Sequence, residues 1–128
     1  MSISASYSRP RPSGGRELWT WLFMRFSGLV LILLALGHMV LMHLVHSVDE
    51  ITYAFVAGRY AGWLWRGYDL LMLTLAMLHG SAGLRILIDD YIHSPRCRAA
   101  ALGALFLLGG GLLLLGMYVA LFFRPVPA

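Results

Sequence analysis

Eight polar side chains interrupt the long apolar runs of this chain: Arg25, Ser27, His38, His43, Thr74, His79, Ser81 and Arg85. An ionisable group in such surroundings is costly, and a functional role is its default reading. His79 is the most informative. Neutral imidazole can ligate haem iron through one nitrogen while the other is hydrogen-bonded. Gly80 and Gly83 flank it and would let a porphyrin approach the backbone. The plainer alternative is a histidine hydrogen-bonded to a neighbouring helix. His38, beside Gly37, carries the same pair of readings. His43 and His46 lie closer to a helix end, where an interfacial role suits them. His93 falls in a loop.

Arg25 and Arg85 are permanent cations. Each can snorkel to lipid headgroups, or the two can pair with the propionates of a porphyrin. Asp89, Asp90 and Tyr91 form an acidic-aromatic cluster. It reads as a hydrated helix end, or as a carboxylate and phenol that relay protons to a quinone carbonyl. Reduction of quinone to quinol consumes two protons, so such a relay has a chemical purpose. None of the apolar runs offers a paired-carboxylate or nucleophile–base arrangement, and no Gly-rich phosphate loop follows a strand. A self-contained hydrolase, kinase or nucleotide enzyme is therefore excluded.

The elements that must position these groups follow from composition. Of 128 residues, 59% are hydrophobic and 12% charged, with a mean hydropathy of +0.74. Soluble domains run nearer 45–50% apolar and about 25% charged, so an ordinary soluble enzyme is ruled out. Cys97 is the only cysteine, which leaves no internal disulfide and no cysteine-based metal site. All ten basic residues are arginine, and long uncharged runs separate them. That distribution is not the clustered basic face of a nucleic-acid binder.

The charges divide the chain into spans. None lies between Arg25 and Asp49, between Asp69 and Arg85, or between Arg98 and Arg124. A transmembrane helix needs about 20 mainly apolar residues, and helices satisfy their own backbone in lipid. Three membrane helices are expected, at about 18–46, 62–90 and 99–123, behind a mobile arm over 1–17. The fold class is an all-α membrane protein. Trp19, Trp21, Trp63 and Trp65 sit where interfacial aromatics belong. The arm does not read as a signal peptide. Arg9, Arg11, Arg16, Arg96 and Arg98 fall on one side, against Arg59, Arg66 and Arg124 on the other. The positive-inside rule then places the N-terminus in the cytoplasm and the C-terminus outside. In the third helix, Ala99, Ala100, Ala101, Gly103 and Ala104 permit close helix approach. Gly109, Gly110 and Gly111 leave room for a neighbour or a flat ligand.

Depth separates the two candidate ligands. His79 is eleven residues before Asp90, about 16 Å along a helix axis. His38 is thirteen residues after Arg25, about 20 Å further from that same end. In antiparallel helices the two histidines sit at different depths, and are poorly placed to share one iron.

The run His79-Gly-Ser-Ala-Gly-Leu-Arg-Ile-Leu-Ile-Asp-Asp-Tyr91 resembles the signature of bacterial succinate dehydrogenase membrane anchor subunits. There a haem-ligating His is followed eleven residues later by Asp and then Tyr, as with His79, Asp90 and Tyr91. Gly83-Leu84-Arg85 is similar to the Gly-Ile/Leu-Arg that follows the haem histidine in the cytochrome subunit. Arg25-Phe-Ser27-Gly28 resembles the Arg-x-Ser-Gly that opens the first helix. Trp21–Gly28 and Phe55–Trp63 look most like the smaller, D-type anchor.

The resemblance implies a three-helix half of a haem-binding bundle, completed by a second anchor, the cytochrome b subunit. It implies attachment to an iron–sulfur subunit and a flavoprotein in the bacterial inner membrane. FAD and the iron–sulfur clusters would belong to those partners, and quinone would be the substrate. Succinate oxidation itself would not lie in this chain. By the resemblance, His79 is an axial ligand of haem b. Tyr91 hydrogen-bonds quinone and Asp90 lies in the proton path. Arg25, Arg85 and Ser27 belong to the cofactor and quinone pockets. Members hold one or two haems; His38 and His79 fit the two-haem pattern, which is preferred. The rival readings are an anchor of quinol:fumarate reductase and a haem-free structural assembly subunit. A transporter is weaker, because three spans carry neither a repeat nor an ion-coordinating motif.

Overall fold

The structure, a computed structural model, describes residues 15–124. The arm expected before the first span, with Arg9 and Arg11, lies almost wholly outside the described residues. Helix α1 runs over Arg16–Met39 and continues as a π-helical segment over Val40–Val45. A 3₁₀ turn, Val48–Glu50, leads to a short helix α2, Tyr53–Ala61. Helix α3 spans Trp63–Tyr91 and α4 spans Pro95–Phe122. Among the described residues, three helical stretches are long and apolar enough to cross a membrane: Glu17–Val45, Trp63–Tyr91 and Pro95–Phe122. The chain is an all-helical, multi-pass membrane protein.

Two boundaries differ from the sequence expectation. The third span begins at Pro95 rather than 99, because proline suits the first helical position, where its missing N–H has no intrahelical partner. Arg96 and Arg98 therefore sit on the first turn of α4, not in a loop. The second difference is α2, which falls in a segment expected to be a loop. Its start is capped by Thr52, whose Oγ1 accepts from the Phe55 amide at 3.4 Å. It ends at Gly62, which turns the chain directly into α3.

Helix α3 is central and packs against α1 and α4. Small residues set the spacing. A Cβ at Gly116 would stand 2.6 Å from Leu73 Cδ2, and one at Gly109 would stand 3.1 Å from Ser81 Oγ. So Gly109 makes room for a neighbouring helix, while Gly110 and Gly111 face open space. Arg66, in the first turn of α3, crosses to the last carbonyls of α4. Its Nη1 donates to Leu121 O at 3.1 Å and its Nη2 to Phe123 O at 2.7 Å. Those carbonyls lack intrahelical donors, and the negative end of the helix favours a cation.

Almost nothing else is covered. Among the described residues, the buried apolar ones are Ala57, Ile88 and Ala120, while Leu107 is 76% and Trp63 83% exposed. A helix apolar on every face needs an apolar surrounding on every face. Lipid and neighbouring protein must supply here what a core supplies in a soluble domain.

Candidate functional site

Helices α1 and α3 bring together two residues that lie 52 positions apart. Ser27 Oγ is 2.8 Å from His79 Nδ1. Ser27 is 3% exposed, and its hydroxyl also reaches back to the carbonyl of Phe23, one turn earlier in α1. Gly28 completes the seat, since a Cβ there would stand 3.3 Å from His79 Cε1. The ring therefore packs against α1 at a point where any Cβ would make a tight contact. Around it, Gly83 faces Met24 of α1, and a Cβ at Gly80 would meet nothing within 4 Å. Of the two glycines expected to admit a flat ligand, Gly80 is the one with open space beside it.

Asp90 and Tyr91 end α3, eleven and twelve residues beyond His79, or about 16–18 Å along the axis. Both are exposed, Tyr91 at 78%. The arginines at this end meet Asp89 rather than Asp90. Arg85 Nε lies 3.7 Å and Arg98 Nε 3.8 Å from the Asp89 carboxylate. Arg25 stacks its guanidinium 4.3 Å above the Trp21 ring. Arg85, Asp89, Ser81, Trp21 and Phe106 share the lining of a cavity of about 870 Å³ between α1, α3 and α4. Arg25 and Arg85 are thus near one end of the bundle, in separate local contacts.

His38 lies at the other end. Its Nδ1 is 3.6 Å from Asp69 Oδ1, and its ring lies parallel to Tyr68 at a centroid distance of 6.4 Å. The space left by Gly37 is filled by the Tyr68 hydroxyl, which donates to Leu34 O. Asp69 and His79 are ten residues apart on α3, about 15 Å along the axis. The two histidines therefore do occupy different depths.

The cluster around Asp69 carries no motif that marks it in the sequence. Arg59 of α2 places Nη2 3.8 Å from Asp69 Oδ1 and lays its guanidinium 3.9 Å over Trp65. Its side chain is 7% exposed. Burial, then the adjacent Asp69 carboxylate, raises the Tyr60 phenol above its ordinary 10.0, against the opposing pull of Arg59 and Arg66. Asp69 Oδ1, His38 Nδ1 and Arg59 Nη2 stand at ion-pair distance without hydrogen bonds. One available signal was that Asp69 and Arg59 are opposite charges flanking the same interfacial turn.

Among the described residues no three of His, Cys, Asp or Glu converge as a metal-binding group.

A family model described as succinate dehydrogenase/fumarate reductase transmembrane subunit matches residues 7–116. No curated protein matches the chain. The matched region contains the Ser27–His79 contact, Asp90 and Tyr91, and all of α1, α2 and α3. The chain belongs to the family of succinate dehydrogenase/fumarate reductase transmembrane subunits.

Proposed function

We propose that this chain is the D-type anchor of a bacterial succinate:quinone oxidoreductase, and that His79 is an axial ligand of haem b. The observation that supports the ligand most directly is the orientation of the His79 ring. Its Nδ1 is engaged by Ser27, which leaves Nε2 as the atom available to iron. Metal-bound histidines are regularly held in this way through their second nitrogen. The open space beside Gly80 suits a flat macrocycle, and the exposed faces of α3 and α4 suit a second anchor that brings the opposite ligand.

When bound, haem supplies one-electron transfer. The chain's own residues orient and screen it. Arg85 and Arg25, near the Tyr91 end, provide cations for propionates, and the apolar helices exclude water. Tyr91 and Asp90 stand exposed at the helix end, in reach of a partner surface. There the phenol can hydrogen-bond a quinone carbonyl and the carboxylate can pass protons. The N-terminus and the Tyr91 end face the cytoplasm, where the iron–sulfur and flavoprotein subunits dock.

The surroundings of His38 favour a structural role over a second haem. Tyr68 occupies the space beside Gly37, and Asp69 ties the ring into the Arg59 cluster. The family model covers dehydrogenase and fumarate reductase subunits alike, and the direction is decided by comparing succinate oxidation with fumarate reduction by the purified complex.

The test is haem quantification and a reduced-minus-oxidised spectrum of the purified complex carrying His79→Ala. Loss of the b-type signal is expected. An unchanged spectrum overturns the ligand assignment, and a wild-type complex devoid of haem favours the structural assembly subunit.

A further inference from the structure

We infer that Ser27 is a positioning residue that fixes the tautomer of His79 and thereby sets the potential of the iron it binds. This rests on the ligand assignment above and adds a proton inventory to it.

Ser27 has one hydroxyl proton and lies within hydrogen-bonding distance of two acceptors, Phe23 O and His79 Nδ1. If the proton goes to Phe23 O, Ser27 Oγ accepts Nδ1–H and both hydrogen bonds form. Should it go to Nδ1 instead, the contact to Phe23 O carries no proton and one bond is lost. Ser27 is 3% exposed and sits inside a membrane span, so bulk water cannot replace the missing partner. Phe23 O already accepts the helical N–H of Ser27, so the alternatives differ by one additional hydrogen bond. The two-bond arrangement therefore wins. It places the proton on Nδ1 and the bare lone pair on Nε2, the tautomer that ligates a metal.

The consequence is electronic as well as geometric. A histidine that donates its distal N–H is a stronger base at the other nitrogen. A more basic ligand favours oxidised iron and lowers the potential. The chain of contacts runs from the Phe23 carbonyl through the Ser27 hydroxyl to the imidazole. It thus links the backbone of α1 to a group held by α3. Nothing in the signature run around His79 reveals this, because Ser27 lies on a different helix.

The test uses the assembled complex with Ser27→Ala, Ser27→Val and Ser27→Thr. Thr and Val have the same shape, and Thr keeps the hydroxyl, which in a helix can still reach the carbonyl one turn back. Haem content, the low-spin EPR signal and the midpoint potential are the readouts. Ala and Val are expected to retain haem but raise the ratio of reduced to oxidised haem at a fixed potential three- to tenfold. That corresponds to about 30–60 mV for one electron. Thr should stay near wild type. Equal shifts in Thr and Val would show a packing effect and overturn the inference, as would wild-type potentials and EPR signals in all three. If the complex with Ser27→Ala does not assemble, the Thr–Val comparison still decides. Failure of the haem assignment looks different, because there His79→Ala itself keeps its haem.

Discussion

Gly28 stands where the imidazole of His79 meets α1. A methyl group there would come 3.3 Å from Cε1, tighter than ordinary contact, and the ring would have to yield by a few tenths of an ångström. Gly28→Ala should therefore keep haem while altering its EPR signal. Gly28→Val adds two further carbons at the same point, which a small shift cannot absorb; overpacking of this kind costs about 1–3 kcal/mol. Haem per complex should fall by about half or more, measured as pyridine haemochrome. Gly67→Ala is the control, because a Cβ there meets nothing within 4 Å. Full haem content in Gly28→Val would mean that the ring is not seated against α1. The glycine matters here for close approach and not for its backbone freedom. The described residues include one glycine with positive φ, Gly15, at the start of α1.

At the scale of elements, the short helix α2 is fixed to the spans by charge. Arg59 is buried between Asp69 and Trp65, and Arg66 of α3 reaches both the Tyr60 carbonyl and the end of α4. Removing one member of a buried ion pair strands the other, which costs about 3–5 kcal/mol in a fully buried site. Asp69 retains 16% side-chain exposure, so the lower part of that range applies. Arg59→Gln and Asp69→Asn should each lower the thermal unfolding temperature of the complex. The double variant should lose less than the two single losses summed, since each single change leaves the other charge unpaired. Additive losses would show that the guanidinium and carboxylate are not coupled. The haem spectrum should be unchanged in all three, because the pair sits about 15 Å from His79 along α3. A spectral change in Asp69→Asn would return His38 to the list of ligands.

At the scale of the whole molecule, the legible and illegible parts of the fold divide along a physical line. The gaps between Arg25 and Asp49, Asp69 and Arg85, and Arg98 and Arg124 exposed the three spans, because lipid forbids unpaired charge. The pairing of Ser27 with His79, and of His38 with Asp69, was not legible. It depends on how each helix is rotated about its axis. A helix apolar on every side carries no stripe that records its rotation. Helix α2 was missed for another reason: nine residues bounded by Thr52 and Gly62 are too short to register as a span. Sidedness is the global property that sequence addresses through arginine placement, and Cys97 offers a direct test of it. It is the only cysteine, it is exposed, and it lies in the first turn of α4 beside Arg96 and Arg98. Arginines flanking the spans are in excess on the cytoplasmic side, and five lie on the Cys97 side against three on the other. A membrane-impermeant maleimide should therefore label Cys97 in inside-out vesicles and leave it unlabelled in intact spheroplasts. The Cys97→Ser variant should give no signal in either. Labelling from the outside would invert the topology. It would place Tyr91, Asp90 and the cavity lined by Arg85 on the face away from the soluble subunits, and the proposed route of electrons to quinone would fall with it.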